Sequence, residues 1–267
     1  YHPFAWTIRR LHRTVVETPL TRSESGSLQL DLDAIERAYA AGARVHILCS
    51  PHNPAGVVHP KATLARIAEL AAHHDVLVLS DEIHAPLTHA GATHAPFPTV
   101  SSDAARTSIV LTSASKTWNL AGLKAAMTVA CHDAPRAVLD RLPIELPYHS
   151  GHLGVLGARA AFEQGSEWLA ATLRILDRNR RLVTDLLAEH LPRARYVVPQ
   201  ASYLAWIDCT DLGLGRDPAK AFLDRGRVAL SSGPIFGTGG EGYARLNFAT
   251  TRTLLEEAVR RMAKALK

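Results

Sequence analysis

Val76-Leu77-Val78-Leu79-Ser80-Asp81-Glu82-Ile83-His84 is the stretch whose reading decides the fold. It opens on an unbroken apolar run, too short for a helix, of the kind found in a strand covered on both faces of a parallel sheet. An acidic pair and a histidine follow directly, where that strand would end. Upstream, Val45-His46-Ile47-Leu48-Cys49 has the same texture, and downstream so do Ser108-Ile109-Val110-Leu111-Thr112 and residues 125–130. Residues 61–74 place apolar side chains at 64, 67, 68, 71 and 72, the spacing of an amphipathic helix entered after Pro60. Residues 33–41 predict another, capped by Asp31 or Asp33 and closed by Gly42. Strand, helix, strand in this order specifies an α/β fold with a mainly parallel sheet flanked by helices.

From about Gly151 the pattern changes. Helices are expected over 155–162, 168–190, 218–225 and 254–266, with strands at 196–198, 203–207 and 243–248. This less regular order points to a smaller α+β domain. The division is expected near Gly165, with residues 1–165 forming the larger domain and 166–267 the smaller one.

The chain has 267 residues, 47% of them hydrophobic and 21% charged, which excludes disorder and suits one large or two modest domains. No apolar run approaches the roughly 18–20 residues that span a bilayer, and Arg9, Arg10, His12 and Arg13 break up any signal-peptide pattern at the N-terminus. The first residue is Tyr1 rather than methionine, so a fragment of a longer protein is one expectation. Cys49, Cys131 and Cys209 stand singly, as reduced thiols of a cytoplasmic protein do. The net charge of +5 is scattered and aromatics make up only 6%, so no nucleic-acid face is expected. Adjacent His73 and His74 would point to different sides of their helix, and no metal site is expected.

In an open α/β sheet, ligands gather beyond the carboxyl ends of the strands. Three polar clusters follow three apolar runs. Asn53 lies in the turn Ser50-Pro51-His52-Asn53-Pro54-Ala55-Gly56, Asp81 to His84 follow the second run, and Ser113-Ala114-Ser115-Lys116 follow the third. An amide, a carboxylate and an amine at one edge suit a cofactor with a carbonyl, a basic ring nitrogen and a phosphate.

These motifs, with Thr117-Trp118-Asn119-Leu120-Ala121-Gly122-Leu123-Lys124 and Tyr243-Ala244-Arg245-Leu246-Asn247-Phe248, resemble fold-type I pyridoxal-phosphate enzymes. The similarity runs over nearly the whole chain. It is nearest to the MalY/PatB-type cystathionine β-lyases, a group related to class I and II aminotransferases. The resemblance implies a PLP-transferase-like fold (aspartate aminotransferase-like) and pyridoxal 5′-phosphate as cofactor. It also implies a homodimer acting on a small amino-acid substrate, with no nucleic-acid or membrane partner. Family members carry a further segment before the position of Tyr1, so the chain is expected to be part of a longer protein or a truncated form.

Residue by residue, the resemblance gives Lys116 the covalent link to the cofactor aldehyde and the removal of the substrate Cα proton. Asp81 would keep the pyridine nitrogen protonated, while Glu82 reads as structural. Asn53 and His84 would contact the phenolic oxygen; His84 stands where related aminotransferases carry tyrosine, which favours a lyase. Ser113, Ser115 and Lys124 would hold the phosphate, helped by a helix N-terminus at Lys116-Thr117. Arg245 would bind the substrate α-carboxylate, and Tyr1 would stack on the pyridine ring. The implied reaction is β-elimination from cystathionine or an L-cysteine S-conjugate. Amino transfer on the same scaffold is the alternative, and a non-catalytic module of this fold is a third.

Overall fold

The computed structural model describes residues 1–23 and 26–266. Its helices are α1 (His2–Arg10), α2 (Leu32–Ala40), α3 (Lys61–His73), α4 (Ser102–Thr107), α5 (Asp133–Leu139), α6 (His152–Gln164), α7 (Ser166–His190), α8 (Pro218–Gly226) and α9 (Arg252–Lys264). Its strands are β1 (Thr21–Arg22), β2 (Leu28–Gln29), β3 (Val45–Cys49), β4 (Leu77–Asp81) and β5 (Ser108–Thr112). They continue with β6 (Met127–Val129), β7 (Arg195–Tyr196), β8 (Leu204–Asp208), β9 (Ser231–Ser232) and β10 (Tyr243–Asn247). Side-chain caps explain several helix starts: Asp31 accepts from the Ala34 N–H at 2.8 Å, Ser101 from Ala104 at 3.1 Å and Thr251 from Leu254 at 3.3 Å. Helix α1 has no counterpart in the sequence reading. It begins after Tyr1 with Pro3 in its first turn and buries none of its residues.

Two compact units share the chain. The sheet unit comprises residues 30–51 and 58–173; the C-terminal unit comprises residues 1–29, 52–57 and 174–267. The change expected near Gly165 thus falls inside α7, between Leu173 and Arg174, and the two early segments join the later part of the chain. Packing explains both differences. The second half of α7 buries Leu176, Val183 and Leu187, and the turn at 52–57 is bonded to the C-terminal unit through Gly56 O, which accepts from Gln200 N at 2.8 Å and Ala201 N at 3.0 Å.

In the sheet unit the strand order is β3-β4-β5-β6. β3, β4 and β5 are parallel, in a register that pairs Cys49 with Asp81 and Asp81 with Leu111, so their carboxyl ends lie along one edge. β6 runs antiparallel to β5. Leu64, Ile67, Ala68 and Ala71 of α3 pack with Ile35 of α2 and Leu48 and Val78 of the sheet. Each large apolar side chain buried there contributes about 1.5–3 kcal/mol. Two expectations need correcting. Leu77 and Leu79 of β4 are only half-buried, so one face of that strand is incompletely covered. β6 is exposed throughout; it is one of the two edge strands of this sheet.

In the C-terminal unit, β7-β8-β10-β9 form an antiparallel sheet. Its core contains Leu204, Ile207, Leu246 and Phe248 with Phe222 of α8 and Leu255, Val259 and Met262 of α9. Asn179 of α7 donates to Phe248 O at 2.9 Å and Thr250 O at 2.8 Å, fixing the chain between β10 and α9.

Candidate active site

The polar residues of the sheet unit stand where parallel strands end. Asp81 is the last residue of β4; its own carbonyl accepts from Ser50 N at 3.0 Å, and Glu82 N donates to Leu111 O at 2.9 Å, so the ladder extends past the strand ends. The Asp81 carboxyl is buried, and Oδ1 accepts from Ile83 N at 3.3 Å. Burial raises its pKa, while the Ile83 N–H and the charge of Lys116 act against that rise. Lys116 is therefore near enough to Asp81 to be felt electrostatically.

Glu82, next in sequence, has a different task. Oε1 accepts from Ser80 Oγ at 2.9 Å and Phe97 N at 2.8 Å, and Oε2 bonds His94 Nε2 at 3.0 Å. A buried carboxylate with these partners acts as a brace between the end of β4 and the loop at 94–97, in line with a structural part for Glu82. His84 is buried ahead of the 3₁₀ turn Ala85–Leu87.

Lys116 is half-buried in a turn over residues 114–117, not at the start of a helix as expected. Trp118 N donates to Ala114 O at 3.0 Å and Leu120 N to Ser115 O at 3.1 Å, but no further helical turns follow. The helix N-terminus expected at Lys116-Thr117 is thus absent. Ser113 Oγ donates to Ala125 O at 2.7 Å and accepts from Ser115 N at 3.0 Å, closing the loop that carries Lys116. Lys124 is exposed and left-handed, with φ 55°. Thr117 Oγ1 is buried without a hydrogen-bond partner among the described residues.

A second group stands in the C-terminal unit. Arg245 lies mid-strand in β10; its Nη1 donates to Asn53 Oδ1 at 2.9 Å and its Nη2 to Ser231 Oγ at 3.0 Å. Its Cζ sits 4.8 Å from the centre of the Phe236 ring. Burial lowers the Arg245 pKa, opposed by Tyr1 and Tyr203, yet a guanidinium stays charged near neutrality. Tyr1 caps α1, and its ring meets Phe4 edge-on at 5.3 Å.

The structure therefore puts Asp81, His84, Ser113, Ser115, Lys116 and Lys124 in one unit, and Tyr1, Asn53 and Arg245 in the other. It brings out participants not picked from the sequence. Ser231 and Phe236 flank Arg245, and the Trp118 indole donates to Gly165 O at 2.9 Å. Gly233 and Gly237, bracketing Phe236, were the available signal for the first pair. His73 and His74 also differ from expectation: because His74 terminates α3, their rings meet at 4.7 Å instead of diverging. Among the described residues, no group of three or more His, Cys, Asp or Glu side chains is arranged to hold a metal ion.

A family model described as aminotransferase class I and II matches residues 1–262. The chain belongs to this family. Among class I and II relatives, it is 44% identical over 291 residues to a putative cystathionine beta-lyase of Mycobacterium tuberculosis, covering 100% of this chain and 70% of that protein. It is 32% identical to cystathionine beta-lyase PatB of Bacillus subtilis, covering 100% of this chain and 69% of PatB. The crystal structure of a putative PLP-dependent beta-cystathionase from Corynebacterium diphtheriae superposes with a TM-score of 0.91 at 34% identity, again over 100% of this chain and 69% of that one. The motif resemblance to the PatB-type group and the aminotransferase-like α/β fold are both borne out.

Proposed function

We propose that the protein is a pyridoxal-phosphate-dependent carbon–sulfur lyase, cleaving cystathionine or another L-cysteine S-conjugate to a thiol, pyruvate and ammonia. One observation carries it: a buried carboxyl, Asp81, ends a parallel strand within electrostatic reach of Lys116, in a chain 44% identical to a putative cystathionine beta-lyase.

The residues present suit the cofactor. The Asp81 carboxyl is buried and its Oδ1 accepts from the Ile83 N–H at 3.3 Å, so a protonated ring nitrogen would add a cation that offsets the burial of its ionised form. Lys116 would form the covalent link. Ser115 and Lys124 would hold the phosphate, joined by Ser113 when its hydroxyl exchanges the Ala125 carbonyl for a phosphate oxygen. Asn53 and His84 would bind the phenolic oxygen, and Tyr1 would cover the ring. When bound, the cofactor supplies an aldehyde and an electron-accepting ring.

The chain's own side chains then divide the remaining work. Once the substrate amine had displaced it from the cofactor aldehyde, the freed Lys116 Nζ would take the proton from the substrate Cα. Asp81 keeps a proton on the ring nitrogen. Arg245 would hold the substrate α-carboxylate through its planar fork. Loss of the thiolate from Cβ, which takes up a proton to leave as the thiol, would complete the β-elimination, and hydrolysis of the released enamine by water would give pyruvate and ammonia.

We also propose a cytoplasmic homodimer. Cys49, Cys131 and Cys209 form no disulfide, and the sheet unit exposes Ile144, Tyr148 and Leu153, as a surface covered by another subunit would. No helix among the described residues is long and apolar enough to cross a membrane.

The test is pyruvate release from L-cystathionine with purified, cofactor-loaded protein and no added keto acid. Keto-acid-dependent amino exchange without pyruvate release would replace the lyase assignment with a transaminase.

A further inference from the structure

Glu17 lies in the C-terminal unit, on the segment that follows α1, and its carboxylate is bound by the glycine-rich loop at 233–240. Oε2 accepts from Thr238 N at 2.8 Å and from Thr238 Oγ1 at 2.7 Å. The loop is shaped to this carboxylate: Gly237 has φ 99°, and a Cβ added there would come within 2.9 Å of Oε2. One residue earlier the same loop presents Phe236. That ring lies against the Arg245 guanidinium at 4.8 Å and is backed edge-on by Trp206 at 5.4 Å. Trp206 in turn stacks on Tyr243 at 4.9 Å.

Arg245 is thus constrained in two ways. Asn53 and Ser231 hold its terminal nitrogens and set rotation within the guanidinium plane. Phe236 holds it from a third side, because a cation over the face of an aromatic ring is attracted to it. We propose that Glu17 and Phe236 are positioning residues for Arg245: Glu17 pins the loop, and the loop holds Phe236 as the platform that orients the guanidinium toward a substrate carboxylate. This rests on Arg245 being the carboxylate-binding residue. Neither positioning residue needs to touch substrate or cofactor. Their effect is therefore on substrate capture and not on the proton transfers.

The experiment compares Phe236→Leu, Phe236→Tyr, Glu17→Ala and Glu17→Gln in the cofactor-loaded protein with L-cystathionine. The tyrosine ring can still stack, and the glutamine amide oxygen can still accept both Thr238 bonds. Phe236→Leu and Glu17→Ala are expected to raise KM about three- to tenfold, with kcat within about twofold of the parent. Phe236→Tyr and Glu17→Gln are expected to restore KM. Cofactor affinity, measured by titrating the apoprotein, stays unchanged in all four; this also reports that each variant folds. An unchanged KM in Phe236→Leu, or a parallel loss of cofactor affinity, overturns the proposal. Arg245→Leu separates the two levels. If it leaves KM unchanged, the carboxylate reading fails; if it raises KM while the Phe236 and Glu17 variants do not, only the positioning inference fails.

Discussion

Asn53 Oδ1 accepts a hydrogen bond from Arg245 Nη1 at 2.9 Å across 192 residues of sequence. The amide therefore belongs to the setting of the guanidinium as well as to the turn at 52–57. A neutral acceptor holds the guanidinium without neutralising it, so its charge stays available for a carboxylate. Asn53→Asp is accordingly expected to form an internal ion pair that competes with substrate. KM for L-cystathionine should rise roughly tenfold, and steady-state kinetics with a parallel cofactor titration would measure it.

Lys116→Ala removes the only amine assigned to the covalent link. The cofactor's visible absorbance band should be lost, together with pyruvate formation. In the parent protein, borohydride reduction followed by peptide mapping should find the cofactor on the peptide containing Lys116. Label on another lysine would move the assignment.

Asp81→Asn keeps an oxygen for the Ile83 N–H but gives up the negative charge. Pyruvate formation should fall by about two orders of magnitude or more, with the fold intact. The same group predicts a pH effect on cofactor binding. Burial raises the Asp81 pKa from 3.8, so its ionised form is lost sooner than an ordinary aspartate's as the pH falls. Cofactor affinity in titrations at decreasing pH should weaken along with that loss, and the dependence should disappear in Asp81→Asn.

Gly165→Ala places a Cβ within 2.3 Å of Trp118 Nε1 and 2.4 Å of Ala161 O. The indole must move, losing its hydrogen bond to Gly165 and disturbing its edge contact with Phe162 at 5.0 Å. A destabilisation of about 1–3 kcal/mol is expected by chemical denaturation. Trp118→Phe, which loses the N–H together with part of the ring, should cost about 1–3 kcal/mol. Because Trp118 follows Lys116 by two positions, Gly165→Ala should also slow borohydride trapping of the cofactor.

His59 and His46 give the sheet unit an acid-side weakness. Burial lowers both to about 4; His59 also bonds Cys49 O through Nε2 at 3.1 Å, and His46 bonds the Tyr39 hydroxyl at 2.6 Å through Nδ1. Both are neutral in the fold at pH values where the unfolded chain takes up protons. Stability should be flat above about pH 6.5, and fall as the pH drops from there toward 4. Urea denaturation across that range should show the slope, and His59→Gln should reduce it.

Local rules carried the prediction of β3 and β5 to the residue, and those of α2, α3, α8 and α9 to within two or three. In these segments periodicity, caps and breakers agree with the burial that results. They failed where burial depends on distant chain. The run at 125–130 is as apolar as β4 in composition, yet β6 is an exposed antiparallel edge strand. Lys116 was expected to open a helix, but the Ser113 bonds to Ala125 and Ser115 close a turn there instead. Helix α1 escaped notice because its Arg9 and Arg10 mask a short apolar pattern, and it buries nothing that would have required one.

The sequence by itself determined the α/β class, the family, and the positions of Asp81, Lys116 and Arg245. Each of these is set by a contiguous motif: for Asp81 and Lys116 an apolar parallel strand delivers the polar residues that follow it to the sheet's carboxyl edge, and Arg245 lies within the apolar run that forms β10 itself. Tertiary structure alone decided that Asn53 and Ser231 hold Arg245, that Phe236 lies against its guanidinium, that Glu82 is a brace and that Trp118 is anchored at Gly165. None of those contacts follows a helical or strand spacing, and two of them, Asn53 with Arg245 and Trp118 with Gly165, join residues 192 and 47 positions apart. Hydrogen bonds and ring contacts act over a few ångströms of space, and only the completed fold sets that distance.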